Sequence, residues 1–197
     1  MQKLSIKNTT LVKIINVRRH MDIKESHLLI HILPKTAIKQ ELHDLCKTTS
    51  ASILCFDEPE ISKYLITNYV LVVPFADTTI RSHANSITVE QARDIINFVQ
   101  NLPASIKDLY ISCSAGQSRS PAIAAAILRM VGRSDKDVWE NPYYVPNGLV
   151  YQTLCNEFGL PTPDVYVQNL VECNRQCYLE AVKNGNAGKY EKWQIIN

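Results

Sequence analysis

Residues 111–127 read ISCSAGQSRSPAIAAAI. An apolar run ends at Cys113, Gly116 follows three positions later and Arg119 six positions later, and Ser120 and Pro121 open an Ala/Ile run. The apolar residues 109–112 predict a strand. Ser120 as a cap, Pro121 at the first helical position and Gly132 as a stop predict a helix. The turn between them is short enough to aim its amides at one point. At a helix N-terminus such a turn is a nest for an anion, favoured by unpaired N–H groups and by the helix dipole. Gly116 suits the unusual dihedrals of the turn, and a side chain there would also crowd the ligand. A cysteine at the base of the nest is favoured as its thiolate, the nucleophilic form. Arg119, at the far end, carries a planar fork that can hold two oxygens of one tetrahedral anion, as lysine cannot. The spacing therefore predicts a nucleophile and a clamp addressing one phosphorus. Ser114, Ala115, Gly116, Gln117, Ser118 and Arg119 form the predicted phosphate-binding loop.

Working outward, short β-branched runs alternate with helix-period segments, the pattern of an α/β domain with a mostly parallel sheet of four to five strands flanked by helices. Candidate strands are residues 11–17, 28–33, 52–56, 69–73 and 109–112. In TVEQARDIINFVQNLP, residues 88–103, Thr88 and Gln91 can form a capping box, Ala92, Ile95, Ile96 and Val99 share a face, and Pro103 stops the helix. Downstream, Asn147 and Gly159 bracket another helix. A last one, from Pro163, places Val167, Leu170, Val171, Cys177, Tyr178 and Ala181 on one face. The residues from 185 onward have no strong period and read as a loosely held tail.

A chain of 197 residues with 46% apolar side chains is long enough to fold as one domain on its own core, and residues 1–197 are read so. The 21 basic and 19 acidic residues give a formal charge of +2 without runs of either sign, so nothing marks a nucleic-acid or anionic-membrane partner. MQKLSIKNTT lacks the apolar core of a secretion signal, and YVLVV and AIAAAIL are far shorter than a membrane span, which points to a cytoplasmic protein. The six cysteines, at 46, 55, 113, 155, 173 and 177, show no Cys-x-x-Cys pair or zinc spacing. His27 and His31 lack the glutamate of a zinc helix, and no metal or other cofactor is expected. Arg81 and His83 read as solvated loop residues, and Cys173 and Cys177 as packing residues.

A phosphate ester's leaving oxygen needs a proton, and a phosphoenzyme needs an activated water. Asp77 is the candidate acid, 36 residues before Cys113 in a loop leaving an apolar strand, where a parallel neighbour would present it at the same sheet edge. Asp57, in CFDEPE, is the competing carboxylate and reads as a strand-exit turn.

CSAGQSRSPA resembles the signature loop of the cysteine-dependent protein tyrosine and dual-specificity phosphatase superfamily, especially its compact members. The resemblance extends to VLVVPFADTT, similar to the strand and loop that carry the general acid, and to YYVPNGLVYQTL, similar to the Pro-Asn helix start behind the loop. It covers residues 50–158 and is densest over 109–132. It implies Cys113 as nucleophile, Arg119 as phosphate ligand and Ser120 as the hydroxyl that assists turnover of the phosphocysteine. One departure is Ser112, where such enzymes usually carry histidine. A serine hydroxyl can hydrogen-bond the loop backbone, so the change bears on rate more than on reaction type. Implied partners are a phosphorylated protein or peptide and phosphate- or vanadate-type oxyanions. The leading reading is a protein phosphatase for phosphotyrosine, or for phosphoserine and phosphothreonine as well. The alternatives are a phosphate-binding pseudophosphatase, or the same chemistry on RNA 5′-phosphates or phosphoinositides.

Overall fold

The computed structural model describes residues 28–38, 49–58, 69–186 and 195–196. Four strands run parallel: β1 (Leu29–Pro34), β2 (Ser50–Leu54), β3 (Val70–Val72) and β4 (Asp108–Cys113). A two-residue strand, β5 (Ile195–Ile196), pairs antiparallel with β1, and the order across the sheet is β3-β2-β4-β1-β5. Among the described residues after β3 lie five helices: α1 (Val89–Gln100), α2 (Arg119–Met130), α3 (Lys136–Trp139), α4 (Gly148–Phe158) and α5 (Asp164–Lys183).

The last strand in sequence to join the parallel set, β4, lies at its centre between β1 and β2. Its alternating side chains serve two cores. Leu109, Ile111 and Cys113 point into the larger one with Ile95, Ile123, Ile127 and Leu154 of the helices. Tyr110 enters a smaller cluster with Leu33, Ile38, Leu54 and Phe56 on the other face. A central strand buried on both faces reads as a continuous apolar run, which is why LYIS was legible as a strand. The parallel arrangement gathers the C-terminal ends of β1, β2 and β4 on one edge, where α/β folds bind ligands.

The candidate strand at 11–17 lies outside the described residues. The other four lie within two residues of their expected bounds. Helix α1 carries the expected capping box, with Thr88 Oγ1 accepting from the Gln91 amide and Gln91 Oε1 from the Thr88 amide. It ends at Gln100, capped by Asn101, before Pro103 is reached.

Four elements differ from expectation. Helix α2 opens earlier than predicted, with Ser118 as N-cap, Arg119 as its first residue and Pro121 third. The first three helical amides have no partner within the helix, so proline costs nothing there either. Helix α5 buries Val167, Asn174 and Ala181, seven residues apart, while Val171 and Tyr178 stay exposed at 43% and 48%. The seam is narrow, and a polar residue sits at its middle because Asn174 Nδ2 donates to the carbonyls of Trp139, Asn141 and Tyr144. Helix α3 was not anticipated. It drives Trp139 into the core against Tyr151, ring edge to face at 5.2 Å. The stretch expected as a loose tail contains β5, which lies along the free edge of β1.

Candidate active site

Cys113 closes β4 and is 2% exposed. In residues 114–119 three carbonyls are bonded to neighbouring segments. Those of Ser114, Gln117 and Ser118 accept from the amides of Lys35, Val145 and Asn147 at 3.4, 2.8 and 3.2 Å. Among the described residues, no amide of 114–119 donates to a backbone carbonyl. The loop is thus hung from its neighbours by its oxygens, with its N–H groups left for an anion.

Gly116 has φ +70°, and a Cβ there would lie 2.7 Å from Pro34 N and 3.0 Å from the Leu33 carbonyl carbon. The glycine is needed because the end of β1 packs directly behind the loop, an obstruction the sequence did not show. Backbone that close has no room to move.

Arg119 is held at three points. Nη1 donates to the carbonyls of Cys55 (2.8 Å) and Phe75 (2.7 Å), and Nη2 donates to Ser114 Oγ (2.9 Å). Its Nε is buried with no hydrogen-bond partner. The guanidinium is therefore tied to the exits of β2 and β3 and across the loop mouth, with its Nε–H unused. An unpaired buried donor is costly, and an anion seated in the loop would satisfy it.

Ser120 Oγ lies 3.1 Å from Cys113 Sγ, and both are buried. Ser118, although the N-cap of α2, makes no capping bond with its side chain, the N3 residue being Pro121 with no N–H to offer; its hydroxyl donates instead to Asp77 Oδ1 at 2.8 Å. Asn147 Nδ2 donates to the same oxygen at 2.8 Å and to the Thr78 carbonyl at 3.1 Å. An aspartate 41 residues upstream of Ser118 is thereby fastened to the last turn of the loop. Ala115 and Gln117 are exposed on the loop.

Ser112 behaves differently from expectation. Its hydroxyl is fully buried and has no hydrogen-bond partner, so it does not brace the loop backbone. Strand alternation explains this, because Cys113 and Ser112 point to opposite faces of β4 and the loop lies on the cysteine's side. Behind the loop, Cys55 follows β2, and burial first, then the neighbouring Cys113 charge, pushes its thiol well above the ordinary range. Cys55 therefore stays protonated and cannot compete as a nucleophile.

The other candidates lie elsewhere. Asp57 makes no hydrogen bond or ion pair with loop residues among the described ones. Arg81 Nη2 donates to Gln152 Oε1, and His83 Nδ1 accepts from the Asn85 amide within its own turn. His31 pairs with Asp108 at 2.8 Å and stacks on Tyr110, a sheet-packing role. His27 lies outside the described residues, and no cluster of metal-ligating side chains occurs among the described ones. No described helix is long and apolar enough to cross a membrane. Sequence reasoning missed the Cys55 and Phe75 carbonyls, which carry no side-chain signal, and saw Asn147 only as a helix cap.

No family model and no curated protein matches this chain. Solved structures with a similar course of chain do exist. Tk-PTP in its active form is 16% identical, with 75% of this chain and 90% of that one covered and a TM-score of 0.40. PTPMT1 is 18% identical, with 80% and 96% covered and a TM-score of 0.38. PTPMT1 in complex with PI(5)P is 15% identical, with 79% and 95% covered and a TM-score of 0.38. At such identities and scores these likenesses carry no weight for chemistry, which has to be read from the loop itself.

Proposed function

We propose that this chain is a cysteine-dependent phosphatase acting on phosphate monoesters, with phosphotyrosine in a protein or peptide as the leading substrate. The observation that carries this reading is the hydrogen bond from Ser118 to Asp77. It brings a carboxylate to a loop that also holds a thiol, an immobilised guanidinium with an unused N–H, and a row of free amides.

In this reading Cys113 Sγ attacks phosphorus in line, and the bond from phosphorus to the ester oxygen breaks as Asp77 gives that oxygen its proton. The loop amides and Arg119 hold the three equatorial oxygens while charge redistributes over them. Asp77, now a carboxylate, takes a proton from water as the water oxygen attacks the phosphocysteine. The S–P bond breaks, inorganic phosphate leaves, and the Ser120 hydroxyl donates to the departing sulfur anion.

Phosphotyrosine is favoured over a polyphosphorylated headgroup or an RNA end because the loop carries one cation. Lys35, beside Ser114 on the backbone, is paired with Glu58. Two exposed apolar side chains belong to segments bonded to the site: Val145, whose amide donates to Gln117, and Ile80, three residues after Asp77. They would suit an aromatic ring better than a sugar.

The test is steady-state hydrolysis of phosphotyrosine and phosphothreonine peptides, a 5′-phosphorylated RNA and phosphoinositide vesicles, without added metal and with chelator. The expected result is chelator-insensitive, vanadate-inhibited turnover fastest on phosphotyrosine and abolished in Cys113→Ser. Vanadate binding without turnover of any substrate would instead show a phosphate-binding module.

A further inference from the structure

Asn147 is 3% exposed, and every polar position of its side chain is used. Oδ1 accepts from the amides of Leu149 (3.1 Å) and Val150 (3.2 Å), capping α4, while Nδ2 donates to Asp77 Oδ1 and to the Thr78 carbonyl. The two backbone N–H groups can only face an oxygen, so they fix which end of the amide is which. Its own backbone N–H donates to the Ser118 carbonyl, and Ser118 Oγ donates to Asp77 Oδ1. One side chain thus ties together the start of α4, the end of the phosphate-binding loop and the segment bearing the carboxylate.

From this we infer that Asn147 is a positioning residue for the acid step, setting the orientation of the Asp77 carboxyl rather than touching substrate. With two donors seated on Oδ1, that oxygen has no room for the acidic proton, which belongs on Oδ2. Asn147 and Ser118 together prevent the carboxyl from rotating to exchange the two. This rests on the reading of the chain as a phosphatase with Asp77 as acid, and it adds a role for a residue that a cap alone would not require. Serine or aspartate caps a helix about as well as asparagine, so the capping and positioning roles are separable.

The experiment is a leaving-group series of aryl phosphates, from dinitrophenyl to unsubstituted phenyl, run on wild type, Asn147→Ser, Asn147→Asp, Asp77→Asn and the Asn147→Ser/Asp77→Asn double variant. Vanadate inhibition and melting temperature are measured on each. Both Asn147 variants keep an acceptor for the α4 amides and lose the amide N–H that reaches Asp77. Expected for each is a loss of about 10- to 100-fold in kcat on phenyl phosphate, a fraction of the whole worth of acid catalysis, against less than about threefold on dinitrophenyl phosphate, whose leaving group needs no proton. Vanadate inhibition should stay within about twofold, because the anion site is untouched. The double variant should lose no more than Asp77→Asn alone, since the two act as one unit.

Equal losses across the series together with a lowered melting temperature would overturn the inference and leave Asn147 a structural cap. So would wild-type behaviour of both Asn147 variants beside a leaving-group-dependent Asp77→Asn. If Asp77→Asn is flat across the series while Cys113 is required, the acid assignment fails and positioning fails with it. If wild type turns over nothing, the phosphatase reading itself falls.

Discussion

Arg119 shows how much one side chain can depend on backbone. Two carbonyls and a serine hydroxyl hold its guanidinium before any ligand arrives, so little ordering entropy remains to oppose binding. Lysine keeps the charge but cannot span those acceptors. Arg119→Lys should weaken vanadate inhibition by about 10²- to 10³-fold, as two or so charged hydrogen bonds are lost. Ser112 gives the opposite prediction. Its buried hydroxyl has no partner, so Ser112→Ala removes an unsatisfied polar atom. The variant should be as stable as wild type or up to about 1 kcal/mol more stable in denaturant unfolding, with kcat unchanged. A loss of stability would mean the hydroxyl is bonded after all. The loop's Cys-x5-Arg spacing, with Gly116 between, was readable because each residue has a narrow chemical use. The orphaned state of Ser112 was not readable, since it follows from which face of β4 the loop lies against.

At the scale of elements, the helices are held by contacts that periodicity only half describes. Gly148 opens α4 where a Cβ would lie 2.7 Å from Val167 Cγ1 of α5, so the two helices meet at closest approach there. Gly148→Ala should cost about 1–3 kcal/mol by overpacking, measured by urea unfolding. Asn174 sits on the facing seam of α5, its amide serving three carbonyls in the 139–144 connection. Asn174→Leu, although apolar, should cost about 2–4 kcal/mol because those buried carbonyls lose their donor. An unchanged midpoint would show that water or relaxation satisfies them. The capping box of α1 and the glycine stop of α4 were legible, being local chemistry within a turn. The breadth of the α5 face was misjudged, because apolar spacing says which residues can be buried, not which ones a neighbour covers.

Across the whole molecule, the sheet order decides which thiols are reactive. Cys55 follows β2 beside the end of β4, sealed between sheet and helices, and Cys155 lies in the core on α4. Burial drives both thiols upward from their ordinary range. A group held protonated in this way stays neutral through the physiological range and loses that protection only at strongly alkaline pH. Alkylation of native protein at pH 8, mapped by mass spectrometry, should therefore leave Cys55 and Cys155 unmodified while exposed Cys173 reacts. Labelling of Cys55 before unfolding would contradict its placement. The same order gathers the ends of β1, β2 and β4 at one edge, so that Pro34, Cys55 and Cys113, far apart in sequence, all border the loop.

Taken alone, the sequence determined the strand–loop–helix unit with its cysteine, glycine and arginine, the α/β class, and Asp77 as the candidate acid. These rest on local dihedral preference, side-chain chemistry and hydrophobic period, all written within a few residues. Only the tertiary structure decided that Ser118 and Asn147 grip Asp77, that the Cys55 and Phe75 carbonyls hold Arg119, and that the end of β1 leaves no room for a side chain at Gly116. Those contacts join residues 41 to 83 positions apart, many through backbone atoms identical in every amino acid, so no pattern of side chains could announce them.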